Sequence, residues 1–275
     1  MTSPFKKFAL FFISGIFVFI QKNNAQNDSL FRFLKELDYP ISSFTVGNLG
    51  DLYIINTNNQ LKKYNENGDS VGVFNQVTKY GKLSYVEAQN PWKVILFYEG
   101  FSTIVLLDKY LEVLGSINLR NKNIFRVKAV TTSYDNNIWL FDEQDNKLKK
   151  IDDSGNLLSE SVDFRQLFDS VPSPKEIIDR DGFVYLYDPQ KGFYVFDYYG
   201  SFKSRLTFLN WKDVSVFGKS LYGFDDWNIY KYESPIPDLQ KVQLPVSLQK
   251  SASIKMTPSK IYALKNKRLG IYSLQ

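Results

Sequence analysis

The chain has 275 residues, 44% of them hydrophobic and 16% aromatic, and carries a formal charge of +5. That apolar content builds a packed core and excludes disorder over most of the length, and 23 Phe with 18 Tyr lean towards β structure. The chain has no Cys and no His, which excludes disulfides, Ser-His-Asp and Cys-His catalysis, histidine general bases and zinc sites of the usual ligand set.

The N-terminus reads as an export signal. Lys6 and Lys7 precede the apolar run FALFFISGIFVFI at 8–20, which is followed by a polar stretch with a small residue at Ala25. The run falls short of the roughly 20 residues that a spanning helix needs, and its flanks fit a cleaved signal peptide over 1–25. No cysteine is present for lipid attachment, so no membrane anchor is expected after cleavage. Removing Lys6, Lys7 and Lys22 with the leader lowers the charge to +2, which gives no electrostatic footprint for nucleic acid. Residues 26–275 are expected to form one domain.

The segment SLFRFLKEL at 29–37 has two readings. Leu30, Phe33, Leu34 and Leu37 fit one helix face, with Ser29 as cap. The same segment fits a strand, and the remainder of the chain favours the strand. NQLKKYNENGD at 59–69 and NKLKKIDDSGN at 146–156 are near copies. Four further apolar pairs of runs follow the same plan: ILFYE…TIVLL, VYLYD…FYVFD, LYGFD…NIYKY and IYALK…LGIYSL. The last apolar residues of the second runs are Tyr64, Leu107, Ile151, Phe196, Tyr232 and Tyr272, spaced 36 to 45 residues apart. Short strands at that period mark a β-propeller.

Each unit supplies an inner strand A, such as 42–46, 126–130, 175–179 and 213–217, then strands B, C and D. Asn67-Gly68, Ser154-Gly155 and Tyr199-Gly200 supply a residue tolerant of positive φ in the turn after strand C. The sixth unit ends at strand C. An unpaired edge invites aggregation, so 29–37 is expected to add the missing outer strand and close an all-β, six-bladed ring of four-stranded antiparallel blades. A helical insert is expected at 163–171, where Phe164, Leu167, Phe168 and Val171 share one face behind Asp163, with Pro172 and Pro174 ending it.

The stretches at 39–74 and 173–204 resemble NHL-type repeats, as in NHL/YncE-like six-bladed propellers: an inner strand, an Asp-x-x-Gly or Gly-containing turn, an aromatic strand, a polar loop and a second turn. Units two, five and six lack the turn glycine at the matching place. The resemblance implies the fold and no particular activity.

Several motifs carry a chemical reading and a plainer one. DRDG at 179–182 opens like a calcium loop, but position twelve is Gln190 where such a loop needs a bidentate acid; the plainer reading is an A–B hairpin turn. Asp142, Glu143 and Asp145 are weak candidates for a metal site. Asn56 and Asp188 stand where Asp142 does in other units, which favours a turn preference. In Lys62-Lys63 and Lys149-Lys150, one of each pair is expected to face water. No cofactor is implied. The B–C loops and D-to-A connections emerge on one face of a propeller, and there the chain carries Tyr80, Tyr85, Phe101, Phe125, Arg126, Trp211, Lys212 and Trp227. Aromatic and Arg side chains on loops of a rigid scaffold favour interfaces, while the plainer reading has Trp211 and Trp227 filling gaps between blades.

Three functions follow. The first is an exported, non-catalytic propeller that binds a protein partner or acts as a scaffold in the cell envelope, periplasmic or at the outer surface. The second, by resemblance to six-bladed propellers with a channel metal, is a Ca²⁺-dependent lactonase or lyase, with Glu87, Glu176 and Asp179 as inward-pointing acids. The third is glycan binding through exposed aromatics. Three or more acids or amides converging in the channel would favour chemistry, and a scattered lining would favour partner binding.

Overall fold

The run LYIIN at 52–56 is apolar at consecutive positions, which suits a strand buried on both faces. The computed structural model, which describes residues 30–234 and 238–275, shows what buries them. The export signal at 1–25 lies outside the described residues. The chain enters as β1 (Phe31–Leu37) and then lays down blade 1 as β2 (Ile41–Val46), β3 (Leu52–Asn56), β4 (Leu61–Tyr64) and β5 (Ser70–Phe74). Blade 2 is β6 (Tyr85–Glu87), β7 (Val94–Tyr98), β8 (Thr103–Leu107) and β9 (Val113–Asn118). Blade 3 is β10 (Val127–Thr132), β11 (Ile138–Asp142), β12 (Lys147–Ile151) and β13 (Leu157–Glu160). Blade 4 is β14 (Glu176–Arg180), β15 (Phe183–Asp188), β16 (Gly192–Asp197) and β17 (Phe202–Leu206). Blade 5 is β18 (Lys212–Phe217), β19 (Ser220–Phe224), β20 (Asn228–Glu233) and β21 (Asp238–Gln243). Blade 6 takes β22 (Ser253–Met256), β23 (Lys260–Lys265) and β24 (Arg268–Leu274), and β1 completes it as the outer strand. The protein is a six-bladed β-propeller.

The core is divided into six apolar seams, one between each pair of neighbouring blades, and the period of two along strand B feeds two seams at once. In β3, Tyr53 and Ile55 face blade 2 while Leu52 and Ile54 face blade 6. In β11, Ile138 and Leu140 face blade 2 while Trp139 and Phe141 face blade 4. In β15, Val184 and Leu186 face blade 3 while Tyr185 and Tyr187 face blade 5. The remaining seam joins blades 5 and 6, with Phe31, Phe224 and Tyr272 in it. At Gly223 on β19 an added Cβ would lie 2.4 Å from the Trp211 ring, so only glycine lets that indole lie flat on the strand.

The repeated turn has a physical basis. At Asn65, Asp108, Asp152 and Asp197 the chain reverses in the same way, and the backbone N–H four residues on donates to the side-chain oxygen of each. The fourth position of the turn takes positive φ: Gly68, Gly155 and Gly200 fill it in blades 1, 3 and 4, and Leu111 takes φ 70° in blade 2. A left-handed leucine costs about 1–2 kcal/mol; burial of Leu111 in the seam between blades 1 and 2 offsets it.

Closure runs through β1. It pairs antiparallel with β24, from Phe31 opposite Leu274 to Leu37 opposite Leu269, with one register shift between Phe33 and Lys35. Over the described part of 29–37, the strand reading therefore holds over the helical one, as β1 at Phe31–Leu37. DRDG is a two-residue A–B hairpin, with Asp181 at φ 52° and Gly182 at φ 90° between β14 and β15.

Two expectations are corrected. The helix at 163–171 is a single 3-10 turn over Phe164–Gln166, although Asp163 does cap it by accepting from Arg165 N. Phe164 stacks on Phe196 and meets Phe141, and Phe168 meets Tyr194; anchoring both rings in one seam outweighs extending a short helix whose nucleation is costly. The lysine pairs do not each leave one member in water. Lys149 and Lys150 are both buried, held by Asp142 and Asp145, and by Asp135 at 2.8 Å, while Lys63 is buried against Asp51 at 2.8 Å. Strand-C lysines fold back onto acids at the A–B turn and the B–C loop of their own blade.

Phe31 is buried in the seam between blades 5 and 6. Phe31→Ala is therefore expected to lower stability by about 3 kcal/mol, and deletion through residue 37 to abolish the single cooperative transition. Urea unfolding followed by tryptophan fluorescence measures both; a truncated chain with a wild-type transition would refute the closure account.

Candidate functional site

The six inner strands surround an axial channel, and the side chains that strand A turns inward line it. A cavity of about 110 Å³ lies there, bounded by Tyr85, Glu87, Glu176, Arg180, Asp213 and Lys255 among others. Two acids named from the sequence, Glu87 and Glu176, thus face the channel. The structure adds Asp213 and a lysine between it and Glu176. Lys255 Nζ lies 2.6 Å from Asp213 Oδ1 and 4.0 Å from Glu176 Oε2. Burial works against the Lys255 charge, but Asp213 and Glu176 together overcome it and hold the ammonium well above its ordinary value. Burial pushes the Glu176 carboxyl up, with Lys255 only partly opposing it. Asp213 sits at φ 48°, a conformation unusual for a residue with a side chain. Its Oδ2 also accepts from Ile254 N at 2.8 Å, which fixes the carboxylate beside Lys255. An ammonium therefore stands where a channel cation would need these oxygens. Among the described residues no three carboxylates converge closely enough to hold a metal ion.

Glu87 lines the channel apart from Lys255, on the side of blade 3. It accepts from Thr132 Oγ1 and from Gln89 N, joining blades 2 and 3. Burial nevertheless raises its carboxyl above the ordinary 4.5. Asp179, the third named acid, lies buried behind the A–B turns and accepts from Trp139 Nε1 at 2.9 Å, Tyr198 OH at 2.9 Å and Tyr134 N at 3.2 Å. Its pKa is also raised, burial outweighing those three donors.

The channel opens on the A–B turn face into a second cavity of about 390 Å³, bordered by Asn48, Gln89, Asn136, Arg180, Asp181 and Tyr198 among others. Arg180 reaches from blade 4 across to blade 2, where it donates to Gln89 Oε1 at 3.2 Å. Its Nε is buried with no hydrogen-bond partner among the described residues, a state that costs about 1–3 kcal/mol. Tyr134 and Tyr198 stack at 4.0 Å on the cavity's edge. Beyond them this face exposes further aromatics: Trp92 is 67% and Tyr199 90% accessible. Lys109 bridges Trp92 and Tyr110, 4.6 and 4.8 Å from their ring centres.

The opposite face holds most of the residues singled out from the sequence, and the structure scatters them. Tyr80 is buried against Tyr98, on the short helix α1 (Val77–Tyr80). Tyr85 lies on β6 and lines the channel. Phe101 is exposed on the B–C loop of blade 2, and Phe125 and Arg126 are exposed between blades 2 and 3. Trp211 is 6% accessible, stacked between Phe208 and Tyr230, and fills the seam between blades 4 and 5. Lys212 pairs with Asp226, and the half-exposed Trp227 lies under Lys250. No ring contact joins Phe101, Phe125 and Trp227 among the described residues. Asp142 and Asp145 hold Lys149, and Glu143 holds Lys128 and Ser173. Arg180, Lys255, Asp213 and the Tyr134–Tyr198 pair had no signal in the sequence beyond the Asn-rich A–B turns at 47–51, 88–93 and 133–137.

No protein-family model matches the sequence, and no curated protein does. Solved structures show the fold. Virginiamycin B lyase from Staphylococcus aureus superposes with a TM-score of 0.63 at 12% identity, over 88% of this chain and 99% of that one; it was solved as an inactive form with a histidine replaced by alanine, with quinupristin. The WD40 domain of Neurospora crassa Pan2 gives 0.60 at 9% identity over 86% and 89%. PorZ, a surface component of the type-IX secretion system of Porphyromonas gingivalis, gives 0.54 at 13% identity over 81% of this chain and 29% of that one. An enzyme, a WD40 domain and a secretion-system component share this architecture, so likeness at this identity establishes the propeller and no activity.

Lys255→Met strips the cation from two channel acids and is expected to destabilise the fold by about 3 kcal/mol; adding Glu176→Gln and Asp213→Asn should restore most of it in urea melts. Glu87 holds its proton more tightly folded than unfolded, so its contribution is complete below 4.5 and is lost as pH rises through the raised value. Glu87→Gln should make the fall in stability above pH 4.5 shallower than in the wild type, and parallel pH profiles would contradict this.

Proposed function

We propose that the protein is an exported, non-catalytic propeller of the cell envelope that binds a protein partner through the face carrying its A–B and C–D turns. The observation that carries this reading is the arc of exposed aromatics on blades 2 to 4 of that face, Trp92, Tyr110, Tyr134 and Tyr199, beside Arg180. Trp, Tyr and Arg dominate interface hot spots, and here they stand on turns held by a rigid ring. Export rests on Lys6, Lys7 and the apolar run at 8–20. PorZ, similar in fold, is itself a bacterial surface component. The Ca²⁺-dependent lyase reading has fold likeness behind it, but Lys255 stands between two of the channel acids, Asp213 and Glu176, and this chain has no histidine corresponding to the one replaced in the inactive lyase.

Crosslinking in intact cells followed by affinity purification tests the reading with two double variants. Trp92→Ala/Tyr134→Ala is expected to lose at least about tenfold of the recovered partner, and Phe101→Ala/Trp227→Ala, on the opposite face, to keep it. Loss with the second pair alone would move the interface to the other rim. Equal recovery with both would remove the proposal.

A further inference from the structure

We propose that the cavity at the channel mouth binds a small acidic sugar, a hexuronate, with Arg180 taking its carboxylate. This goes beyond the partner-binding reading and does not depend on it. Arg180 carries five N–H donors in a rigid fork. One is used, on Gln89 Oε1, and Nε is buried without a partner. No acid pairs with this guanidinium among the described residues: Asp179 beside it is turned to Trp139, Tyr198 and Tyr134. A half-buried guanidinium that lines a cavity, with Nη donors that no acid takes among the described residues, is matched there by a carboxylate, which accepts two parallel bonds from it.

The remainder of the cavity decides what carries that carboxylate. Asn48 donates through Nδ2 to Gln89 O, which leaves its Oδ1 as an acceptor. Asn136 accepts at Oδ1 from Asn90, which leaves its Nδ2 as a donor. The exposed Asp181 adds a second acceptor at the rim. Alternating donors and acceptors suit hydroxyl groups, which are both at once. The edge of the stacked Tyr134–Tyr198 pair is the main apolar surface, enough for a sugar ring and not for the side chains of a peptide. At about 390 Å³ the space suits a ligand of one or two rings.

The test is an NMR titration of the purified protein with D-glucuronate, D-glucose and free-acid triglycine. Glucuronate is expected to saturate one site at least about tenfold more tightly than glucose, with triglycine no tighter than glucose. Arg180→Gln should bring glucuronate down to the glucose level. Arg180→Lys keeps the charge without the fork and should lose most of the preference, which covers the case where the glutamine variant does not fold. Glucuronate binding no tighter than glucose, triglycine matching glucuronate, or an undiminished preference in Arg180→Lys would each overturn the proposal. Partner recovery is read separately, so the two readings fail independently.

Discussion

The pairing of β1 with β24 is the contact on which the remaining structure depends. Every blade is apolar on both faces, so a blade without two neighbours would leave a seam in water. A linear stack of such blades has no stable end. The ring removes the ends, and the outer strand supplied by the other end of the chain ties the last blade to the first. Burial of Phe31 beneath that strand couples the backbone ladder to the seam between blades 5 and 6. One antiparallel pair thus secures the closure of all six seams.

Closure also brings together the channel's charges. Glu176, Asp213 and Lys255 come from blades 4, 5 and 6 and lie far apart in sequence. A lysine held between two acids fixes three neighbouring inner strands at the axis, where backbone ladders do not connect one blade to the next. The arrangement supplies its own counter-cation. Each of its members is missed chiefly when it alone is removed, because the others are then left as uncompensated charges.

The two faces of the ring differ in kind. On the B–C side the prominent aromatics either fill seams, as Trp211 does, or stand apart, as Phe101 and Trp227 do. On the A–B side, polar turns from blades 1 to 4 close around a cavity that reaches the channel, with Tyr134 and Tyr198 at its edge, and the same face exposes Trp92, Tyr110 and Tyr199. The guanidinium of Arg180, which no acid pairs among the described residues, lies where the two cavities meet. A binding function therefore has a defined place, although solved propellers of similar shape range from an enzyme to a secretion-system component.

By itself the sequence determined the repeat, the number of blades, the strand order within each, the positive-φ turns and the closing role of the strand at Phe31–Leu37. These follow from period-two burial and from turn chemistry, which act over a few residues. Glu87 and Glu176 were legible as inward acids because strand A has to face the axis. Lys255 and Asp213 were not, since their partners sit one or two blades away and nothing local marks a lysine as internal. Burial of both Lys149 and Lys150 was missed for a different reason: alternation assigns strand faces and does not register the acids of the same blade, Asp135, Asp142 and Asp145, that pair with them. Only the tertiary structure decided which rim gathers its exposed aromatics and where Arg180 lies open, because those properties arise from side chains that closure of the ring brings together from different blades.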